Sequence, residues 1–134
     1  MARYIAFDWG EVRTGIAVSD SSGIIASPHS TVATNNLRTT VDLIVNEEPC
    51  AGLVVGVPGL ILGKLTDSNE GINKFIAYLS SKYPSLPIHT VDEGHTSSEA
   101  MDAMISGGMK KSRRRQKGSL DRVAAALILQ RFLQ

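Results

Sequence analysis

Three carboxylates stand where the sequence changes from one kind of segment to another: Asp8, Glu93 and Asp121. Asp8 ends an alternating apolar run, and Glu93 follows Asp92 at the end of another. Asp121 comes just after Ser119, at the start of a largely apolar stretch. Carboxylate oxygens are hard ligands. Magnesium takes them in octahedral geometry and keeps several waters. Two such ions about 3.5–4 Å apart can clamp the attacking and leaving oxygens of a phosphodiester. That chemistry needs no dedicated histidine or cysteine. Each acid also has an ordinary use: Asp8 can cap the turn at Trp9-Gly10, Asp92-Glu93 can open a solvated loop, and Asp121 can complement a helix dipole. The candidate metal set is therefore Asp8, Glu93 and Asp121, with magnesium or manganese as the ion.

The elements that must position these acids follow from periodicity. Residues 3–8, 13–19 and 23–33 read as three strands, the last two split by the turn-forming Asp20-Ser21-Ser22-Gly23. In the first strand Tyr4, Ala6 and Asp8 share one face, and Ile5 and Phe7 the other. Asn35 or Asn36 can cap a helix over 37–48, ended by Pro49. Residues 51–57 form a continuous apolar run, as expected of a central strand buried on both faces. After a loop over 58–67, Ser68 can cap a helix whose Ile72, Phe75, Ile76, Leu79 and Tyr83 make one core-facing stripe. Pro84 and Pro87 close it, and 87–91 is a short strand leading into Asp92-Glu93-Gly94. Period 2 sends the carboxylates of Asp92 and Glu93 to opposite faces, so only one of them shares a face with Asp8. A helix over 96–105 is stopped by Gly107-Gly108. Ser119 can cap a last helix to about 132, apolar nearly all round and so expected to lie deep against the sheet. Three meander strands followed by alternating helices and strands imply an α/β fold, with a mixed five-stranded sheet and helices on both faces.

The chain has 134 residues, which suits one domain, 1–134, with a real core. Hydrophobic residues make up 43% and charged residues 20%, an ordinary soluble composition. No apolar stretch approaches the roughly 20 residues that span a bilayer, and no signal peptide is expected at the start. Cys50 is the only cysteine, so no internal disulfide forms. His29, His89 and His95 are scattered, which argues against a zinc site. The net charge of +1 hides an asymmetry. Residues 1–109 balance at −6 and residues 110–134 at +7. Lys110, Lys111, Arg113, Arg114, Arg115 and Lys117 precede Asp121 directly. Such a run is either a solvated loop or a cationic overhang that binds phosphates without reading sequence. Arg13 joins it as a candidate nucleic-acid contact.

The residues line up with a known family. Ile5-Ala6-Phe7-Asp8-Trp9-Gly10, continuing through Gly15 to Asp20, resembles the opening of the RuvX/YqgF family. Gly56-Val57-Pro58 with Gly63 resembles its central segment, and Asp92-Glu93 with Thr96 and Glu99-Ala100 resembles the next. Leu120-Asp121-Arg122-Val123-Ala124 through Gln130 resembles its last helix. The resemblance implies a ribonuclease H-like fold related to Holliday junction resolvases. It also implies a cytoplasmic nuclease that matures the 5′ end of precursor 16S rRNA, with the acidic residues carried onto Asp8, Glu93 and Asp121. Two departures stand out: Gly94 where the family usually has Arg, and Leu60-Ile61-Leu62 where its loop usually carries Asn and Asp.

Two functions of different classes fit these residues. One is a metal-dependent endonuclease acting on structured RNA, such as ribosomal precursor particles, or on branched DNA. The other is a non-catalytic nucleic-acid-binding or ribosome-assembly protein on the same fold. Either would work as a monomer or a homodimer, without a membrane.

Overall fold

The structure, a computed structural model, describes residues 2–57, 67–92 and 118–134. Five strands form one sheet: β1 (Arg3–Asp8), β2 (Arg13–Ser19), β3 (Ala26–Ala33), β4 (Cys50–Val57) and β5 (Ile88–Asp92). Their order is β3-β2-β1-β4-β5. The meander β1-β2-β3 is antiparallel, and β4 and β5 continue the sheet in parallel with β1. Helices α1 (Leu37–Glu47) and α2 (Asp67–Lys82) belong to one face, and α3 (Ser119–Leu133) to the other. The mixed, doubly covered sheet expected from the sequence is the one found. Among the described residues no helix is long and apolar enough to cross a membrane.

The pleat sorts the core into two clusters. Ile5, Phe7, Ile16, Leu53 and Val55 point toward α1 and α2, where they meet Leu37, Val41, Ile44, Ile72, Phe75 and Leu79. Phe7 and Phe75 meet edge to face with centroids 5.2 Å apart. Burying each such ring is worth about 1.5–3 kcal/mol. Ala6, Ala17 and Val54 point the other way, onto Ala125, Ile128 and Leu129 of α3. Small residues on that face of the sheet let α3 lie close.

Several local expectations are corrected. β3 begins at Ala26 rather than 23, because Asp20 organises a longer turn. The Asp20 carboxylate accepts amide hydrogens from Ile24 and Ile25 at 2.8 and 2.9 Å, and those bonds hold it below the usual carboxylate range. Asn36 stands at the N-cap of α1 but makes no side-chain cap bond; a 3-10 turn over Thr34–Asn36 leads in instead. Ser119 is the first residue of α3, not its cap. Gly118 holds the cap position with φ 93°, a left-handed conformation that side chains resist. The Ser119 hydroxyl instead accepts from Arg122 Nη2 at 3.1 Å. The helix expected over 96–105 lies outside the described residues.

Two glycines are fixed by the space they leave. A Cβ on Gly15 would fall 1.9 Å from the carbonyl oxygen of Asp121, and one on Gly71 would fall 2.2 Å from Cη2 of Trp9. Gly71 lies inside α2, where glycine ordinarily costs about 1 kcal/mol relative to alanine. Gly71→Ala should therefore stabilise on propensity alone. We expect the reverse here, a lower thermal midpoint, because overpacking costs about 1–3 kcal/mol and the indole is held by the core. Gly15→Ala should likewise lower the midpoint. It should also weaken the docking of α3, read as faster amide hydrogen exchange in residues 119–133 than in β1 and β4. An unchanged midpoint in either variant would show that the close approach is relieved at no cost.

Candidate active site

The site forms at the end of the sheet where β1, β4 and β5 finish. Asp8 is the last residue of β1 and pairs with Gly15 of β2, which in turn pairs with Thr31 of β3. Residues paired across a sheet share a face, so Thr31, Gly15 and Asp8 make one row beneath α3. The first turn of α3 lies along that row. The Thr31 hydroxyl donates to the Gly118 carbonyl. Gly15 receives the backbone of Asp121. This seating brings the Asp121 carboxylate to the strand end that carries Asp8, although 113 positions separate them in sequence. Paired Cα atoms in an antiparallel ladder lie about 4.5–5.5 Å apart, so the step from Gly15 to Asp8 is short.

Arg13 opens β2 two residues before Gly15, on the same face. Its Nε donates to Asp121 Oδ2 at 3.0 Å. The two side chains are 40% and 25% exposed, so the pair is partly screened and works more as a positioning contact than as a source of stability. The loop behind Asp8 is tied down as well. Thr34 N–H donates to the Val12 carbonyl at 3.0 Å, and the Thr34 hydroxyl donates to the Gly10 carbonyl. Strand β1 is anchored at its other end by Arg3. Its buried guanidinium donates to the Ile44 carbonyl at 3.0 Å and pairs with Glu48 at 2.7 Å.

The structure thus joins Asp121 to Arg13 and seats the Asp121 backbone on Gly15, the ladder partner of Asp8. Asp92 ends β5 opposite Val57, which packs with the α1–α2 core. Val91, one residue earlier, packs with the α3 core. Asp92 therefore belongs to the face opposite Asp8. Glu93 lies outside the described residues, as do Lys110, Lys111, Arg113, Arg114, Arg115 and Lys117, the Gly94 position and Leu60-Ile61-Leu62. Among the described residues no three His, Cys, Asp or Glu side chains gather as a metal group. Two residues that build this site had no role assigned from the sequence: Gly15, named only within the resembling segment, and Thr31. A glycine inside a strand does signal the close approach of another backbone, and that signal was available at Gly15.

Comparison with known proteins places the fold and the family. The model of the family described as RuvX: Holliday junction resolvase matches residues 2–134. A protein of Bacteroides thetaiotaomicron named "Putative pre-16S rRNA nuclease" is 36% identical over 134 residues, covering all of this chain and 97% of its own. One of the same name in Amoebophilus asiaticus is 41% identical, over 99% of this chain and 94% of its own. Among solved structures, the Fowlpox virus resolvase with Holliday junction DNA superposes with a TM-score of 0.59 at 11% identity, covering 98% of this chain and 96% of its own. T. thermophilus RuvC with a Holliday junction substrate gives 0.58 at 16% identity, covering 99% and 94%. The fold is the ribonuclease H-like fold that these resolvases share, and the chain belongs to the RuvX family.

Proposed function

We propose that this protein is a nuclease that hydrolyses phosphodiester bonds in precursor 16S rRNA during maturation of its 5′ end. The observation that carries the reading is the seating of Asp121 on Gly15, across from Asp8, with Arg13 bonded to the Asp121 carboxylate. The curated relatives' name supports the substrate, and the family's description keeps branched DNA as the second reading.

Asp8, Glu93 and Asp121 are the proposed ligands of magnesium or manganese. The donor set fits such an ion: the two described members are hard oxygens at one strand end and one helix start, on one face. Asp92 belongs to the other face, which leaves Glu93 as the proposed third acid. When bound, divalent cations would supply the positive charge that the attacking and leaving oxygens of a phosphodiester need.

The chain's own residues have separate tasks. Arg13 engages Oδ2 of Asp121 and so fixes the carboxylate, leaving Oδ1 as the proposed ligand atom. As a phosphate arrives, the same guanidinium, 40% exposed, can share its remaining donors with it. The backbone under Asp121 rests on Gly15, so the carboxylate is held by packing and not by a mobile loop. Lys110, Lys111, Arg113, Arg114, Arg115 and Lys117 are the proposed contacts to the nucleic-acid backbone. They would offset the repulsion between a carboxylate cluster and a polyanion.

The deciding experiment is a gel assay of the purified protein on labelled precursor-rRNA leader and on a four-way DNA junction. It is run with magnesium, with manganese and with chelator, beside Asp8→Asn and Asp121→Asn. We expect metal-dependent cutting of the leader, reduced at least about a hundredfold in each variant, with circular dichroism unchanged. Cutting of the junction alone would move the function to branched DNA. Binding without cutting under every metal condition would replace the nuclease with a scaffold role.

A further inference from the structure

Asp8 and Trp9 leave β1 in succession and so on opposite faces of the sheet. Asp8 goes to the α3 side, and Trp9 packs with the α1–α2 core. On that second side the structure holds a cleft of about 220 Å³, walled by Trp9, Thr34, Arg38, Gly71 and Lys74. Its parts are unusual for a packing defect. The six-membered ring of Trp9 lies against α2 at Gly71, where no side chain intervenes, so the indole is clamped and half-buried. Arg38 is set across the face of Tyr78, with Cζ 4.2 Å from the ring centroid. Lys74 reaches the same cleft from α2. Its partner Glu70 is 3.6 Å away, and both are largely exposed, so water and salt screen that pair. Asp42, which shares a neighbouring cleft with Arg38, accepts the Tyr83 hydroxyl at 3.0 Å.

A rigid aromatic flanked by two cations is the combination that holds an unpaired nucleotide: the base stacks, and the cations take the phosphate. A folded protein partner would use the aromatic but has no need of two exposed cations around so small a cleft. Its place matters too. A strand whose phosphodiester lies at Asp8 and which passes over the end of β1 arrives at Trp9. Side chains from adjacent strand residues project to opposite faces, so this crossing is roughly the thickness of one sheet layer, about 10 Å. One or two nucleotides span it.

We propose that the Trp9–Arg38–Lys74 cleft receives an unpaired nucleotide of the cleaved strand, stacked on the Trp9 indole with its phosphate between Arg38 and Lys74. The substrate would then be single-stranded just beside the cut. The proposal rests on the reading of Asp8 as part of the cleavage centre for its position, but not for its test.

Trp9 is the only tryptophan in the chain, so its emission reports this cleft alone. The experiment titrates the full chain, in chelator to prevent cutting, with a short oligouridylate, a short oligothymidylate and a blunt duplex. Binding is followed both by Trp9 emission and by the anisotropy of a label on the nucleic acid. Saturable quenching by single strands and little by duplex is expected, and the stronger of the two strands tells RNA from DNA. The Arg38→Ala, Lys74→Ala double variant should bind about tenfold more weakly. It should also lose about 0.7 of salt-dependence slope for each phosphate contact removed. Trp9→Phe should keep affinity by anisotropy within a few-fold, and Trp9→Ala should lose about tenfold. Anisotropy that reports binding while Trp9 emission stays constant, with an unaltered salt slope in the double variant, would overturn the proposal. So would the absence of single-strand binding. Quenching without cleavage in the gel assay would remove the nuclease and leave the cleft; cleavage without quenching would do the opposite.

Discussion

The first turn of α3 can reach the sheet only where the sheet has no side chain. Gly15 supplies that gap. Everything else at the candidate centre depends on it: the Asp121 backbone occupies the space a Cβ would need, Arg13 two residues earlier meets the Asp121 carboxylate, and Asp8 is the neighbour of Gly15 on β1. Behind the turn, Gly118 adopts a backbone conformation open to glycine and rests on Thr31. A single row across three strands thus sets the height, the lateral position and the entry angle of one helix.

The two faces of the sheet do different work at that end. The α3 side carries small residues, Ala6 and Ala17, and lets a helix approach closely enough to present an acid. The α1–α2 side carries the large ones, Phe7, Leu53 and Val55, and provides most of the buried apolar surface. Carboxylates are costly beside a core. Placing them on the thin-cored side, at strand and helix ends, keeps them within reach of water and of Arg13 while the bulk of the stability is built on the other side.

The elements were legible because their periods are clean. The alternation that put Tyr4, Ala6 and Asp8 on one face, and the stripe from Ile72 to Leu79, are both found as read. Placement of Asp8 and Asp121 at element ends was also legible, since each acid interrupts an apolar run. Other features depend on contacts that no local pattern encodes. The start of β3 is set by amide bonds to Asp20 five residues away, and the cap of α3 by a glycine that must fit against Thr31. The partner of Arg13 could not be read either. An arginine opening a strand looks the same whether it meets phosphate, water or an acid 108 positions on. Asp92 shows the reverse: alternation alone said that the two neighbouring acids part company, and the packing of Val57 and Val91 tells which way Asp92 goes.

One acid of the pair is on the first strand and the other on the last described helix. The centre therefore has no local version. Were α3 to lift away, β1, β2 and β4 would still have their own ladder partners, and the larger core lies on the other side. In that state Asp121 has left the strand end and Arg13 has lost its acid. Local opening of a single helix is a much smaller event than global unfolding. The lifetime of the assembled centre is thus set by how long one helix stays seated. The same order holds during synthesis: the centre cannot assemble before α3 has emerged.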